Sequence, residues 1–67
     1  DYKGWLKDVS ECISKQNINI ASVDIKVNDN IAEAQIIVQV NNNRQLKRLM
    51  NKMTKLKNID YVKRPGR

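Results

Sequence analysis

Residues 21–40, with the sequence ASVDIKVNDNIAEAQIIVQV, decide the fold of this chain. Apolar and polar residues alternate through 21–27 and again through 32–40, where Ile37 breaks the polar side, and this is the pattern of strands with one buried face. Asn28-Asp29-Asn30 separates the two runs, and these residue types favour a turn. The stretch therefore predicts an antiparallel hairpin with strands at about 21–27 and 31–40, and with Ala21 at the start of the apolar side.

A helical segment is predicted on each side of this hairpin. Before it, Leu6, Val9 and Ile13 recur at helical spacing and predict a helix over about 5–15. After it, a second periodic set predicts a helix over about 44–56. The apolar members of that set are Leu46, Leu49, Met50, Met53 and Leu56. A last short strand is expected at about 59–63, before the proline and glycine near the end of the sequence.

The predicted order of elements is helix, strand, strand, helix, strand. This is the α+β ferredoxin-like order, βαββαβ, with the first strand missing from the chain. In that fold the first strand lies between the third and the last, so without it two strands expose unpaired backbone groups. We expect residues 1–67 to form one domain with both helices on one face of an antiparallel sheet. The first strand is expected to precede Asp1 in a longer polypeptide or to come from a neighbouring chain, including a second copy in a homodimer.

Composition excludes several classes of protein. With 67 residues, of which 40% are hydrophobic, the chain is too short to bury a large core by itself. Cys12 is the only cysteine and histidine is absent, which excludes an intrachain disulfide and a metal site built from cysteine and histidine. The longest aliphatic run, residues 36–38, is far shorter than the roughly 20 residues of a membrane helix. We expect a cytoplasmic domain that has no cofactor or metal of its own and no membrane partner.

Charge is segregated along the chain, whose net charge is +6. Residues 1–40 carry a net charge of −2 and residues 41–67 carry +8. Five cations share one side of the predicted second helix, and we call them the cationic face: Arg44, Lys47, Arg48, Lys52 and Lys55. Such a face is either simply solvated or contacts a polyanion such as an RNA backbone. No aromatic RNA-recognition motif accompanies it, so RNA would be recognised by shape and phosphates rather than by base sequence.

Several residues of the chain resemble those of an ACT domain. They are Asp1, Gly4, Leu6, Asn19 and Ile20, followed by the hairpin and by a second helix that ends in Lys57-Asn58-Ile59. More narrowly, residues 4–10 (GWLKDVS) and 17–23 (NINIASV) are similar to the C-terminal ACT domain of long RelA/SpoT enzymes, which make and hydrolyse (p)ppGpp. The resemblance extends from residue 1 to about residue 64. It departs from the family at Lys3, where a proline is usual, and at Asn17, where a glycine is usual.

The resemblance implies a regulatory domain of a GTP pyrophosphokinase in the stringent response. Such a domain senses an amino acid or contacts ribosomal RNA, and it relays this to separate catalytic domains, so no catalytic residue is expected here. The family's effector site lies between the first turn and an adjacent subunit, and it maps onto Asp1, Gly4 and Asn19. The amide groups of Trp5 and Leu6 at the helix start are then expected to hold a carboxylate.

Other interpretations of these residues remain open at this stage. Gly4 and Asn19 are common turn residues, and both are explained equally well by local structure. Trp5 is expected either to pack across a subunit boundary or to cover the open end of the sheet. The domain as a whole also fits an amino-acid-binding ACT module of another metabolic enzyme, or a ribosome- or RNA-binding module without a small-molecule site. Cys12 is interpreted as a core or boundary residue.

Overall fold

A computed structural model of the chain describes residues 2–64. Its elements in chain order are helix α1 (Tyr2–Lys15), strand β1 (Asn19–Asn28), strand β2 (Ile31–Gln39) and helix α2 (Asn43–Thr54). The two predicted helices and the predicted hairpin are therefore confirmed, and the αββα order is that of the α+β ferredoxin-like fold. Neither helix within residues 2–64 has the length and apolar character needed to cross a membrane.

Helix α1 is terminated by Asn17, which lies two positions after the last helical residue. Asn17 has φ of 58°, in the left-handed region that asparagine tolerates better than most residues. Its N–H donates to the carbonyl of Ser14 at 3.0 Å, and the N–H of Ile18 donates to the carbonyl of Ile13 at 3.4 Å. This is a Schellman motif, and the apolar contact that accompanies such a motif is supplied here by Ile13 and Ile18. Both side chains are buried, so the end of α1 is fixed from the core side as well.

The hairpin contains one irregularity that changes which residues face the helices. Ile20 lies opposite Val38, but Ser22 lies opposite Ile37, so Ala21 is an extra residue without a partner in the ladder. Such a β-bulge offsets the alternation of side chains by one position. As a result Ile20, rather than the expected Ala21, packs against the core, while Ala21 is exposed.

The core lies where both helices meet one half of the hairpin. Its buried members are Val9 and Ile13 of α1, Ile18 after that helix, and Leu49 of α2. Partly buried apolar residues surround them: Trp5, Cys12, Ile20, Ile36, Val38, Val40, Met53, Leu56 and Ile59. The core therefore draws on every element of the structure, although each strand contributes only from one end.

The hairpin divides into two halves by this packing. We call residues 19–23 and 36–39 its root, because Ile20, Ile36 and Val38 pack on the core there. Residues 24–35 are its tip, and none of them belongs to the core cluster. Both residues of the connecting turn, at positions 29 and 30, have positive φ, as a type I′ turn requires.

The predicted last strand at 59–63 is wrong for this structure. Residues 59–64 form neither helix nor strand, and the sheet within residues 2–64 has only β1 and β2. In the ferredoxin-like order this strand pairs with the first strand. No described residue supplies that first strand, so the backbone of 59–64 has no ladder to join. Ile59 nevertheless packs against the core, which holds the start of the segment in place.

Candidate functional site

The start of α1 carries most of the residues of the expected effector site. Gly4, Trp5 and Leu6 all lie inside α1, which begins at Tyr2 rather than after a glycine turn. A proline at position 3 would disfavour helical conformation at the residue before it, whereas Lys3 allows the helix to start there. Amides beyond the first turn of an α-helix donate to the fourth residue before them. Trp5 and Leu6 are therefore the fourth and fifth residues of the helix, rather than the residues at its start as expected.

Gly4 is the accessible backbone position at this end of α1. It is exposed, its φ is not positive, and a Cβ added at this position would meet no atom within 4 Å. As the third residue of the helix, Gly4 belongs to the first turn, and its own amide group has no intrahelical acceptor. The open space around Gly4 therefore leaves room for a ligand to approach the backbone closely. Asp1, the remaining residue assigned to this end of the site, lies outside the described residues.

Trp5 and Leu6 are both half-buried. Trp5 packs against the hydrophobic core on the same side of α1 as Val9 and Cys12. Trp5 therefore has packing partners within its own chain. Its packing across a subunit boundary stays a prediction, and the interpretation of Cys12 as a boundary residue agrees with its position beside the core.

Asn19 lies beyond the opposite end of α1, as the first residue of β1. Its side chain is exposed, and its Nδ2 donates to Oε1 of Gln39 at 2.9 Å. Asn19 and Gln39 are directly opposite each other in the ladder, next to the pair Ile20 and Val38 that packs on the core. Because successive strand residues point to opposite faces, Asn19 and Gln39 lie on the sheet face turned away from the helices.

The two parts of the expected effector site are therefore far apart within one chain. From Gly4 to Lys15 the helix rises by roughly 16 Å, at about 1.5 Å per residue. An amino acid is much too small to contact Gly4 and Asn19 across that length. A site that uses both residues has to take them from two chains.

Helix α2 presents the cationic face. Its apolar residues Leu46, Leu49 and Met53 share one side of the helix, where Leu49 is fully buried. At about 3.6 residues per turn the cations fall on the other side, with Lys55 at the C-cap. All five are exposed: Arg44, Lys47, Arg48, Lys52 and Lys55. Residues 34–59 contain no Asp or Glu, so no acidic residue of this part of the sequence offsets the charge.

A shallow polar cavity lies where the cationic face begins. Its volume is about 270 Å³. The lining residues are Asn41, Asn42, Arg44, Gln45 and Arg48. The N–H of Gln45 donates to Oδ1 of Asn42 at 2.8 Å, and its Oε1 accepts from the N–H of Asn41 at 2.7 Å. This reciprocal arrangement resembles a capping box, and it fixes the loop against the first turn of α2.

Sequence reasoning did not find Gln45 or Gln39. Gln45 follows the N-cap Asn42 by three residues, and that spacing is a local signal that identifies it. Gln39 has no such signal, because its contact with Asn19 joins residues 20 positions apart and depends on the register of the hairpin.

Comparison with known proteins covers nearly the whole chain. A family model described as "ACT domain" matches residues 1–64, which include every described residue. No curated protein and no solved structure matches the chain significantly.

Proposed function

The chain belongs to the ACT domain family, whose members are regulatory, non-catalytic modules that bind small molecules, and we propose that this one regulates a RelA/SpoT-type GTP pyrophosphokinase. The parent enzyme makes and hydrolyses (p)ppGpp, and its separate catalytic domains use GTP and ATP in the cytoplasm. The regulatory role of this domain is supported by the family match over residues 1–64. The likeness of residues 4–10 and 17–23 to the ACT domain of long RelA/SpoT enzymes supports the choice of parent.

The proposed effector is a small amino acid, bound between two copies of the domain. One copy supplies the first turn of α1, where the backbone at Gly4 is open to close approach. The other supplies Asn19, whose amide carries both a donor and an acceptor. The length of α1 supports this division, since a single chain keeps the two residues too far apart for one ligand.

Regulation then follows from differential binding. An effector that binds one arrangement of the parent enzyme more tightly than another shifts the population toward that arrangement. The coupling is reciprocal, so an arrangement favoured by catalytic substrates also changes the affinity of the regulatory site.

Isothermal titration of the full-length protein with valine, isoleucine, leucine and serine tests this proposal. We expect heat of binding at roughly millimolar concentration or below for at least one of them, and a loss of that heat in Asn19→Ala. Asn28→Ala is the matched control, because Asn28 is an exposed asparagine at the other end of the same strand. Absence of heat with all four amino acids contradicts the effector function.

A second function, contact with ribosomal RNA, is favoured by the cationic face. Its five exposed cations, with two arginines lining a polar cavity, offer repeated contacts to phosphates. If about four phosphates are neutralised, the logarithm of affinity falls with the logarithm of salt concentration at a slope of roughly −3 to −4. Such binding fits the ribosome-contacting role implied by the RelA/SpoT resemblance.

Binding of the full-length protein to ribosomes over a series of salt concentrations tests the second function. We expect the double substitution Arg44→Gln with Arg48→Gln to weaken binding and to make the salt slope shallower. Lys26→Gln is the control, since it removes one exposed cation from the hairpin instead. Binding that is independent of salt, or equal in all three proteins, contradicts the RNA contact.

The two measurements also separate the RelA/SpoT parent from other proteins. Heat of binding from an amino acid without ribosome affinity favours an amino-acid-binding ACT module of a different metabolic enzyme. Ribosome binding without heat from any amino acid favours an RNA-binding module that lacks a small-molecule site.

A further inference from the structure

Tyr61 is an exposed aromatic residue after the end of α2. Its exposed fraction is 67%, whereas Trp5, the other aromatic residue whose side chain the structure describes, is half-buried and packs against the core. One exposed ring needs no explanation by itself. The charge near it in the chain is unusual, however, because residues 52–64 combine five exposed cations with one exposed acid, a net charge of +4. The cations are Lys52, Lys55, Lys57, Lys63 and Arg64, and the acid is Asp60.

Tyr61 lies between two residues that face the protein. Ile59 packs against the core and Val62 is half-buried, although residues 59–64 form neither helix nor strand. The backbone at Tyr61 is therefore held from both sides while its ring is exposed. A group whose backbone is already held loses less conformational freedom when a ligand binds, and this lowers the cost of binding.

The ring of Tyr61 lies near the end of the cationic face. Lys55, the last member of that face, is the C-cap of α2, and Leu56 and Ile59 both pack against the core directly after it. Between them Asn58 has φ of 68°, in the left-handed region, so the chain turns there. Because two residues span at most about 7 Å, the Cα atom of Tyr61 stays within that distance of the Cα atom of Ile59. The ring is thus kept near the C-terminal end of α2.

The cations of α2 form a row that leads to this end of the helix. Arg44, Arg48, Lys52 and Lys55 follow one another at intervals of three or four residues, so the row extends for about 16 Å along one side of α2. A single strand of nucleic acid that lies along such a row contacts the cations with its phosphates and leaves its bases free to stack. An aromatic ring at the end of the row offers one of these bases a flat apolar surface.

We propose that Tyr61 stacks on an unpaired base of RNA, which adds affinity for single-stranded segments that a duplex does not receive. The inference rests on the proposed RNA contact, and it adds a binding residue outside the cationic face. In a duplex the bases are already paired and stacked on one another, so none of them reaches Tyr61 without the cost of unstacking. Stacking tolerates any base, since every base has a π-face, so base sequence still does not decide binding.

Binding of two labelled RNAs to the full-length protein, measured by fluorescence anisotropy, tests the inference. One RNA is a single strand of about 12 nucleotides without self-complementarity, and the other is the same strand annealed to its complement. In Tyr61→Leu we expect the affinity for the single strand to fall about tenfold, which is within the range for an aromatic side chain that stacks on one base. The affinity for the duplex is expected to change less than about twofold, because the contacts to phosphates remain.

Two further variants serve as controls for this measurement. Tyr61→Phe keeps the ring and removes only the hydroxyl, so we expect it to retain the affinity for the single strand within about twofold. The double substitution Arg44→Gln with Arg48→Gln keeps the ring and removes two cations, so it is expected to weaken binding of both RNAs and to make the salt slope shallower. Tyr61→Leu is expected to leave the salt slope unchanged, because it removes no charge. Thermal unfolding of each variant, followed by circular dichroism, verifies that all of them fold.

The outcomes separate this inference from the proposed RNA contact. If Tyr61→Leu binds the single strand as tightly as the unmodified protein does, while the double arginine variant binds it more weakly, stacking is overturned and the RNA contact stands. Equal losses for the single strand and the duplex in Tyr61→Leu also overturn stacking, because a duplex offers no unpaired base. If the unmodified protein binds neither RNA, the RNA contact fails and the inference fails with it.

Discussion

The root and the tip of the hairpin differ in what holds them in place. At the root, Ile20 and Val38 pack on the core that both helices share. At the tip, Val27 is 60% exposed and Ile31 is 69% exposed, although the ladder continues to the turn. A two-stranded ribbon without further packing is only marginally stable in water. Stability is therefore concentrated at the root, and the proposed effector residue Asn19 stands on that half.

The largest expected effect in this comparison comes from the core beside the root. Leu49→Ala removes a fully buried side chain, and we expect it to lower the free energy of unfolding by about 2–5 kcal/mol. Such a loss is a large part of the stability of a small domain. Urea denaturation followed by circular dichroism measures it. Leu46→Ala, on the same helix but only half-buried, is the control and is expected to cost less. A loss below about 1 kcal/mol for Leu49→Ala contradicts a core centred there.

A smaller effect is expected where the root leads into α2. Asn42→Ala removes the side-chain acceptor that caps the N–H of Gln45, and caps of this kind contribute about 1 kcal/mol. The neighbouring substitution Asn43→Ala is the matched control, because Asn43 is exposed and lies just inside the helix. Equal unfolding midpoints in urea for the two variants disprove the cap. Ribosome binding is measured alongside, since Asn42 also lines the cavity at the start of the cationic face.

Gly4 lies at the far end of α1 from the root. Its replacement by alanine tests whether this glycine has a conformational role or a ligand-binding role. Because Gly4 is helical and has open space around it, Gly4→Ala is expected to raise the free energy of unfolding by about 0.5–1 kcal/mol. The same methyl group is expected to weaken effector binding, because it occupies the space through which the ligand approaches the backbone. Lys7→Ala, in the middle of α1, is the control in both measurements. A destabilised Gly4→Ala protein indicates instead that this glycine serves a turn.

The smallest effect is expected at the tip. Val27→Thr replaces a methyl group by a hydroxyl on a mostly exposed side chain, and we expect a change within about 0.5 kcal/mol. Val38→Thr makes the same replacement at the root, where the hydroxyl is placed against the core, and it is expected to cost more. The two urea unfolding curves compare root and tip directly. Equal losses indicate that the tip is covered as well, which removes the distinction between the two halves.

The elements that can be predicted from the sequence are those with a local signal. Helical periodicity and the Asn17 stop signal define α1, and alternation on both sides of the turn defines the hairpin. The bulge has no local signal, because it follows from whether Ile20 or Ala21 packs better on a core assembled from distant residues. Residues 59–64 have the composition of a strand, but a strand also needs a partner backbone.

The candidate site divides in the same way. The charges of α2 are evident in the sequence, and the structure places all five cations of the cationic face in solvent. The contact between Asn19 and Gln39 depends on the register of the hairpin. Periodicity alone does not reveal the bulge at Ala21, so it does not determine which residue of β2 lies opposite Asn19. Whether Gly4 belongs to a turn or a helix depends on where α1 begins, and the few residues before Gly4 are too short a stretch to show a helical period.

The extra residue at Ala21 determines how this strand tolerates changes in length. Removing one residue from a regular strand moves the side chains on one side of the deletion to the opposite face of the sheet. Removing Ala21 has no such effect, because Ala21 is the extra residue of the bulge and has no partner in the ladder. Ile20 then still faces the helices and Asn19 still faces solvent. If Ala21 were retained in a regular strand without the bulge, Ile20 would face solvent and Asn19 would face the helices. Position 21 is thus where relatives of this protein can gain or lose a residue during evolution and still display the same side chains on each surface.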